Sequence, residues 1–251
     1  MKNKYTIFII IFILIFFKFT YIGKKIVSIL DFLIFIIVFQ IKAFIYNFKN
    51  KNIYQLSKNS LDKLNLKLKK INKIKVSKNT NTIYLFNHRS WGDFFIDHYI
   101  CKGTFIGRKE VKYILPFTSA LGKKHDDVIF FDRSNKKSKY KLYDDIKKIL
   151  KKKSILLYPE GTRNTSTHSK PLKFGIIKLG YEQNVPFQII IVNNKENVMN
   201  EKKLKINKNI ICEYFTSELI YPKDFKTLKD FTNEIQKKWD ESWNNIYKNN
   251  V

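Results

Sequence analysis

Short apolar runs alternate with longer amphipathic, lysine-rich stretches from residue 51 onward, and this alternation constrains the fold more than any other feature. The apolar runs are rich in Ile, Leu, Phe and Val, as buried strands are, and they comprise residues 82–86, 128–131, 154–158 and 186–192. The intervening and following stretches predict helices, and they comprise residues 138–153, 172–183 and 230–247. Strands separated by helices form mainly parallel sheets that are covered on both faces. We therefore predict an α/β fold with a mixed, mainly parallel twisted sheet flanked by helices.

Polar motifs follow three of the predicted strands at the point where each strand ends. NHRSWGD (87–93) follows the first strand, DRSN (132–135) follows the second, and PEGTRN (159–164) follows the third. In open α/β sheets the ligand site lies beyond the carboxyl ends of the strands. The sequence therefore predicts that these motifs meet in one site.

Within the first motif, His88 and Asp93 are candidates for a base and its orienting acid. Five positions along a helix rotate a residue about 140° beyond a full turn, so the two side chains can meet only if His88 precedes the helix. Ser90 fits the N-cap position, which would place Asp93 in the first turn and within reach of the imidazole. A carboxylate at one ring nitrogen fixes the tautomer and leaves the other nitrogen free to take a proton. The alternative is purely structural, because Ser90 and Asp93 also fit a capping box.

The second and third motifs carry arginines that suit an anionic ligand. Gly161 allows the backbone to approach a ligand closely, and Thr162 adds a hydroxyl group. Arg133 and Arg163 each present a planar fork that matches phosphate. In the alternative reading, the third motif is an ordinary turn, and Arg133 forms a surface pair with Asp132.

The first fifty residues are far more apolar than the rest of the chain. Residues 5–17 form an almost purely apolar run, and residues 26–46 form a longer one that includes polar positions. A membrane-spanning helix needs about 20 apolar residues, so the second run is long enough and the first is short. A signal peptide is disfavoured because no small-residue cleavage site follows the first run. We predict a membrane-associated helical hairpin over residues 1–50 and a globular domain over residues 51–251, with the orientation left open.

The formal net charge of +27 at pH 7 would suit a nucleic acid, an anionic membrane surface or an anionic substrate. Lysine is spread along the whole chain, so compositional bias explains part of this excess. Cys101 and Cys212 form no pattern of metal ligands or disulfides, and we expect reduced core thiols in a cytosol-facing protein. Because the histidines and cysteines are few and scattered, no metal site is expected.

In order and content, the motifs resemble those of the membrane-bound glycerolipid acyltransferases, in particular the lysophosphatidic acid acyltransferase group. That family carries Asn-His-x4-Asp, Ile-Phe-x-Asp-Arg and Phe-Pro-Glu-Gly-Thr-Arg blocks, and then a Val-Pro block that opens a strand. Here the blocks read NHRSWGD, VIFFDR, YPEGTRN and VPFQIII, over roughly residues 82–192. Tyr158 replaces the usual Phe, and the fourth block is short.

The resemblance implies that His88, oriented by Asp93, is a general base that activates the free hydroxyl of a lysophospholipid for attack on an acyl-CoA thioester. It also implies a group of residues that bind the phosphate of the acceptor, with the arginines gripping it and the others shaping the loop: Arg133, Glu160, Gly161, Thr162 and Arg163. Acyl-CoA is then a co-substrate, and no further cofactor is expected. The resemblance further implies a membrane enzyme whose active site faces the cytosol, on the endoplasmic reticulum if the organism is a eukaryote.

Several alternatives stay open. The favoured acceptor is 1-acylglycerol 3-phosphate, but lysocardiolipin, lysophosphatidylinositol or glycerol 3-phosphate would suit the same motifs, as would a transacylase with a phospholipid donor. A nucleic-acid-binding protein explains the charge but neither the apolar start nor the motif order, so nucleic acid is not an expected partner. A non-catalytic lipid-binding relative is disfavoured because all the key polar residues are present. The sequence does not indicate an oligomeric state.

Overall fold

The computed structural model of the protein describes residues 2–248, which form a central sheet with helices on both faces. In chain order, the strands are β1 (Lys67–Lys70), β2 (Ile83–Phe86), β3 (Thr104–Arg108), β4 (Val128–Phe131), β5 (Ile155–Leu157), β6 (Phe187–Val192), β7 (Met199–Asn200), β8 (Lys205–Ile206) and β9 (Ile211–Thr216). The helices are α1 (Lys2–Phe19), α2 (Tyr21–Phe48), α3 (Ile53–Leu64), α4 (Asp93–Ile100), α5 (Val111–Ile114), α6 (Pro116–Lys124), α7 (Lys136–Leu150), α8 (Gly175–Glu182), α9 (Lys195–Val198) and α10 (Leu228–Tyr247). A short 3-10 helix spans Pro222–Asp224.

The large sheet has the strand order β1-β9-β6-β2-β5-β3-β4, and β7 and β8 form a separate hairpin. All neighbouring strands of the large sheet are parallel except β6 and β9, which are antiparallel. This arrangement confirms the predicted mixed, mainly parallel sheet. Every residue of β2 and β6 is buried, as expected for strands covered on both sides.

Alternate side chains of β2 enter two separate hydrophobic layers. Tyr84 and Phe86 pack with buried residues of α2, α3 and α4, which we call the α4 layer. Ile83 and Leu85 pack with buried residues of α7, α8 and α10, which we call the α10 layer. Fully burying one large apolar side chain stabilises a fold by about 1.5–3 kcal/mol, so both layers contribute strongly to stability.

The predicted helices of the globular domain are present as α7, α8 and α10. The side chain of Asn135 accepts hydrogen bonds from the backbone N–H groups of Lys137 and Ser138, which fixes the start of α7. The apolar face predicted for this helix is buried and comprises Leu142, Ile146, Ile149 and Leu150. Residues 57–75, for which the sequence predicts no element, contain the end of α3 and the whole of β1.

At the N-terminus, α1 and α2 are separated by Thr20, whose side chain caps α2 by accepting a hydrogen bond from the N–H of Gly23 at 3.0 Å. One face of α2 is buried in the α4 layer, through Phe32, Phe35, Phe39, Ala43 and Tyr46. Its other face exposes large apolar side chains, including Leu30, Ile34, Ile37, Ile41, Phe44 and Phe48. Among the described residues, one helix, Ile22–Phe48, is long and apolar enough to cross a membrane. The membrane hairpin and the boundary at residue 50 stay predictions.

Candidate active site

The carboxyl ends of β2, β4 and β5 lie at one edge of the sheet because these strands are parallel. The segments that follow them touch there. The backbone N–H of Asn164 donates to the carbonyl oxygen of His88 at 2.7 Å. The guanidinium of Arg133 donates to the carbonyl oxygen of Gly161 at 2.9 Å. The three polar motifs therefore form one continuous surface.

His88 and Asp93 are in direct contact, with 2.8 Å between Nδ1 of the imidazole and Oδ2 of the carboxylate. His88 lies in the turn after β2, and Asp93 is the first residue of α4. The same Oδ2 accepts a hydrogen bond from the N–H of Arg89. The other oxygen, Oδ1, accepts from the N–H of Ser90 at 3.0 Å and from its hydroxyl at 3.1 Å. Asp93 therefore orients His88 and also stabilises the start of the helix.

The expected N-cap at Ser90 is wrong, because α4 begins at Asp93 and Gly92 occupies the cap position. The hydroxyl of Ser90 accepts a hydrogen bond from the N–H of Gly92 at 3.1 Å, within the turn that precedes the helix. The helix thus begins two residues later than an N-cap at Ser90 would place it. His88 precedes the helix in either case, and the carboxylate of Asp93 in the first turn reaches it.

The imidazole of His88 is partly exposed, whereas the carboxylate of Asp93 is fully buried. Since an ionised carboxylate only accepts hydrogen bonds, Nδ1 must carry the proton, and Nε2 of the neutral ring is left as an acceptor. The ring stacks on Tyr158, with 4.3 Å between the centroids and 15° between the planes. The arrangement presents a fixed, correctly protonated ring that can take a proton from a ligand hydroxyl.

The loop after β5 is held in shape by a buried carboxylate and a glycine. Gly161 has φ +72°, a backbone conformation that side chains other than glycine rarely adopt. Glu160 is buried, and its Oε1 accepts hydrogen bonds from the N–H of Lys170 at 2.9 Å and the side chain of Asn164 at 3.2 Å. Burial raises the pKa of Glu160, while these hydrogen bonds oppose that rise. Glu160 therefore holds the loop in shape from its buried side. Thr162 lies on the exposed side of the same loop.

Both predicted phosphate-binding arginines are exposed at the rim of the site. Arg163 forms an ion pair with Glu201, which lies in the turn between β7 and β8 and also accepts a hydrogen bond from the N–H of Trp91 at 3.2 Å. The alternative prediction, that Arg133 pairs with Asp132, is wrong. Asp132 pairs with Lys109 instead, so Arg133 is directed at the loop after β5.

Arg89, which lies within the first motif but was not predicted as a site residue, connects the loop after β2 to the loop after β5. Its buried guanidinium pairs with Glu196 and lies 4.7 Å from the centre of the Tyr247 ring. It also donates to three consecutive backbone carbonyl oxygens, those of Asn164, Thr165 and Ser166. Arg89 therefore fixes the loop after β5 relative to the loop that carries His88.

A group of buried polar residues that was not predicted from the sequence lies next to the His88–Asp93 pair. Lys195 is fully buried, and its Nζ lies 3.0 Å from Oδ2 of Asp97 and 3.8 Å from Oδ2 of Asp93. The hydroxyl of Tyr158 donates to Oδ2 of Asp97 at 3.0 Å. Lys195 follows β6 by three positions, so the strand-end rule that selected the other motifs would also have selected it.

The remaining histidines and cysteines lie outside this arrangement. Nε2 of His98 lies 3.0 Å from the carbonyl oxygen of Gly103, and burial lowers the pKa of this imidazole to about 4. His168 is exposed beyond the loop after β5. Cys101 and Cys212 are free, buried thiols, and burial raises the pKa of each. These groups therefore add no nucleophile to the site.

Known proteins resemble this chain both in sequence and in structure. A "1-acyl-sn-glycerol-3-phosphate acyltransferase" from Cocos nucifera is 27% identical over 143 residues, which span 55% of this chain and 46% of that protein. The chain thus matches less than half the length of that relative. The crystal structure of "the 1-acyl-sn-glycerophosphate (LPA) acyltransferase, PlsC, from Thermotoga maritima" covers 77% of both chains with a TM-score of 0.62 and 15% identity. At that identity the likeness shows a shared fold.

The sequence model of the Acyltransferase family matches residues 67–193, just over half of the chain. This range begins at β1 and ends directly after β6, so it contains every strand end that forms the site. It also contains the His88–Asp93 pair, both arginines and the loop held by Glu160. The chain belongs to the acyltransferase family.

Proposed function

We propose that the protein transfers a fatty acyl group from acyl-CoA to the free hydroxyl of a lysophospholipid, with 1-acylglycerol 3-phosphate as the acceptor. The observation that carries this proposal is the contact between His88 and Asp93 at a sheet edge that two guanidinium groups share. The two relatives are named for the same acceptor.

In the proposed mechanism, Nε2 of His88 removes the proton from the acceptor hydroxyl as the hydroxyl oxygen attacks the thioester carbonyl. The tetrahedral intermediate then collapses, the carbon–sulfur bond breaks, and the leaving thiolate of CoA takes the proton from the imidazolium. No acyl-enzyme is needed because the thioester is already activated. Asp93 holds the ring and stabilises the transient imidazolium. General base catalysis of this kind is typically worth about 10²–10⁴ in rate.

The oxyanion of the intermediate needs hydrogen-bond donors, and losing one such donor costs about 10²–10³ in rate. We assign this role to backbone N–H groups around Gly161. The N–H of Gly161 itself donates to the carbonyl oxygen of Tyr158 at 3.0 Å. The assignment therefore falls on the N–H groups that follow it in the exposed turn, at Thr162 and Arg163.

The phosphate of the acceptor would bind between Arg133 and Arg163, next to the hydroxyl of Thr162. Arg133 already points at this loop and has its guanidinium near solvent. Arg163 is paired with Glu201, so a bound phosphate would compete with that carboxylate for the guanidinium. A phosphate monoester carries more charge than a carboxylate and can accept a bidentate pair, which favours the exchange.

The same proposal places the protein at a membrane, because its acceptor is a lipid. The exposed apolar face of α2 would contact the hydrocarbon region, and the net charge of +27 would attract anionic lipid and the phosphates of CoA. Acyl-CoA is a cytosolic metabolite, so the active site would face the cytosol, at the endoplasmic reticulum in a eukaryote. Acyl-CoA serves as a co-substrate, and the proposed steps require no additional cofactor.

The test is an acyl transfer assay on membranes that contain the full chain. One labelled acyl-CoA is offered with a panel of acceptors: 1-acylglycerol 3-phosphate, lysocardiolipin, lysophosphatidylinositol and glycerol 3-phosphate. We expect 1-acylglycerol 3-phosphate to have the highest kcat/KM, and we expect His88→Ala to abolish transfer at unchanged protein level. His168→Ala, which removes an exposed histidine outside the pair, is the matched control and should transfer normally. Near-normal turnover in His88→Ala would disprove the base assignment, and a preference for another acceptor would disprove the substrate.

A further inference from the structure

We propose that Lys195 is a positioning residue whose buried ammonium keeps the His88–Asp93 pair in its proton-accepting state, and that Asp97, which binds both the ammonium and the hydroxyl of Tyr158, limits this effect. This inference rests on the proposed function, since it assigns a role in the same reaction. It concerns residues that do not touch the substrate and act through the pair.

The geometry places Lys195 between two carboxylates of α4. Its Nζ donates to both oxygens of Asp97, at 3.0 and 3.1 Å, and to the carbonyl oxygen of Asn87 at 2.5 Å. The carboxylate of Asp93 lies farther away, at 3.8 Å. All three charged side chains have no exposed surface. The ammonium therefore contacts Asp97 directly and acts on Asp93 through space.

Tyr158 connects this cluster to the imidazole. Its ring stacks on His88, and its hydroxyl donates to Asp97 at 3.0 Å. A phenylalanine at this position, as in the motif that the sequence resembles, would keep the stacking and remove the donor to Asp97. The tyrosine and the lysine therefore converge on one carboxylate, which indicates that they form one unit.

The charges explain what this unit does. Burial alone would raise the pKa of Asp93, but the Lys195 ammonium, assisted by hydrogen bonding to His88, holds that pKa below its ordinary value. Without the cation, the Asp93 carboxylate would take up a proton more readily. Protonation of Asp93 would remove the negative charge that orients and stabilises the His88 ring. The ammonium therefore extends the active form to lower pH.

Asp97 has the opposite influence. Burial raises the pKa of Asp97, and the attraction of the Lys195 ammonium opposes that rise. In its ionised form Asp97 shares the ammonium, which weakens the attraction of the ammonium for Asp93 and leaves Oδ2 of Asp93 to His88. Removing Asp97 would leave the full cation beside the pair and make the pair harder to protonate.

Other titratable or charged groups also lie near Lys195, Asp97 and Tyr158. They are Arg89, Cys101, Glu196, Cys212 and Tyr247. Arg89 and Glu196 pair with each other, so their charges largely offset. The two thiols and the phenol have raised pKa values, chiefly through burial, and stay neutral near pH 7. The net field on the pair is therefore set mainly by Lys195 and Asp97.

A merely structural ion pair predicts a different result. Replacing a buried ion pair with apolar residues is often neutral or stabilising, and removing one partner is destabilising. Such changes alter the amount of folded protein, but they leave the pH at which the remaining active sites lose their base unchanged. The pH profile of kcat/KM therefore separates the two roles.

The experiment measures that profile for wild type and four variants: Lys195→Met, Asp97→Asn, Tyr158→Phe and the double variant Lys195→Met with Asp97→Leu. We expect Lys195→Met to move the acid midpoint up by about 1 pH unit, the size that losing one nearby charge produces. We expect Asp97→Asn to move the midpoint down, and Tyr158→Phe to move it down by less. The double variant should lie between the two single variants, close to wild type.

Lys153→Met is the matched control. Lys153 pairs with the largely buried Asp127 at 2.6 Å, before β5 and thus at the opposite end of that strand from Tyr158. This variant should lose stability without moving the acid midpoint. An equal shift in Lys153→Met would mean that the profile reports stability, and the proposal would be wrong.

A second readout does not depend on acyl transfer. Diethyl pyrocarbonate modifies neutral imidazole, and peptide mass spectrometry can follow its reaction with the partly exposed His88 as a function of pH. If wild type transfers no acyl group but the variants move this midpoint in opposite directions, the proposed function fails and the role of Lys195 stands. Midpoints that coincide with wild type, or move in the same direction in Lys195→Met and Asp97→Asn, overturn the inference. Should Lys195→Met not fold, unchanged midpoints in Asp97→Asn and Tyr158→Phe overturn it equally.

Discussion

The two layers on either side of the sheet differ in what they bury. The α10 layer is filled by large apolar and aromatic side chains, among them Phe231, Ile235, Trp239 and Trp243, all with no exposed surface. The α4 layer contains apolar residues as well, but it also encloses the charges of Asp93, Asp97 and Lys195. Buried ion pairs rarely stabilise a fold more than apolar residues of the same volume would. The difference indicates that the α10 layer supports the sheet, while the α4 layer gives up some stability to hold the His88–Asp93 pair.

Asp93→Asn tests the α4 layer and is expected to have the largest effect on turnover. The substitution keeps the shape of the side chain but removes the negative charge that fixes and stabilises the ring. We expect turnover per folded molecule to fall by about 10²–10⁴-fold, the typical range for general base catalysis. The thermal midpoint of unfolding should fall as well, because an amide cannot accept every hydrogen bond that the buried carboxylate accepts. Steady-state acyl transfer and thermal unfolding on the same preparation measure both effects.

The control is the same substitution on the other side of the sheet. Asp145 lies on α7 and forms an exposed pair with Lys141 at 2.8 Å. Asp145→Asn should leave both turnover and unfolding nearly unchanged, since exposed pairs contribute little. A comparable loss of turnover per folded molecule in Asp145→Asn would mean that the fall does not depend on the contact between Asp93 and His88.

Phe231→Ala tests the α10 layer. Phe231 is fully buried and packs against the rings of Tyr181, Phe187 and Phe225. Truncation should lower the free energy of unfolding by about 3–5 kcal/mol, through lost burial and the cavity left behind. Turnover per folded molecule, measured well below the unfolding temperature, should stay near wild type. A large fall in kcat at low temperature would show that the two layers are not separable.

The contrast between the layers also predicts where pH sensitivity lies. His98 is buried on α4, and burial lowers its pKa to about 4, below the ordinary value of 6.5. The unfolded chain therefore binds a proton more readily than the folded chain. The stability that depends on neutral His98 is fully present above pH 6.5 and is lost as the pH falls toward 4. At pH 5 this loss amounts to about 2 kcal/mol.

His98→Gln should remove that loss. The glutamine amide can still donate to the carbonyl oxygen of Gly103, which Nε2 of the histidine contacts at 3.0 Å. Denaturant unfolding at pH 7 and pH 5 should therefore show a smaller difference in the variant than in wild type. If the variant and wild type lose equal stability between pH 7 and pH 5, the acid sensitivity arises from groups other than His98.

The sequence was most informative where structure is local or fully buried. The strands β2, β4, β5 and β6 were predictable because sheets covered on both faces require continuous apolar runs. β1, with the sequence KLKK, shows no such run, and its pairing with β9 through the backbone leaves no sequence pattern. α2 was predictable in part. Its apolar character was evident from the sequence, but its packing into the α4 layer was not evident.

The site divides in the same way. His88 and Asp93 lie within one turn, so spacing and helix geometry sufficed to bring them together. Lys195 and Asp97 are 98 positions apart, and Arg89 and Glu196 are 107 apart, so their contacts depend on the tertiary fold. One local signal for Asp97 existed, because it follows Asp93 by four positions and therefore lies on the same helical face.

Arg163→Ala tests the exposed rim of the site, in contrast to the two buried layers. Loss of one charge-assisted contact to phosphate should raise KM for the acceptor about tenfold, with a much smaller change in kcat. The partner of this guanidinium supplies the matched variant. Glu201→Gln releases Arg163 from its ion pair, so KM for the acceptor should fall. Initial rates over a range of lysophospholipid concentrations measure both effects. Changes of the same sign in the two variants would contradict competition between Glu201 and the phosphate for Arg163.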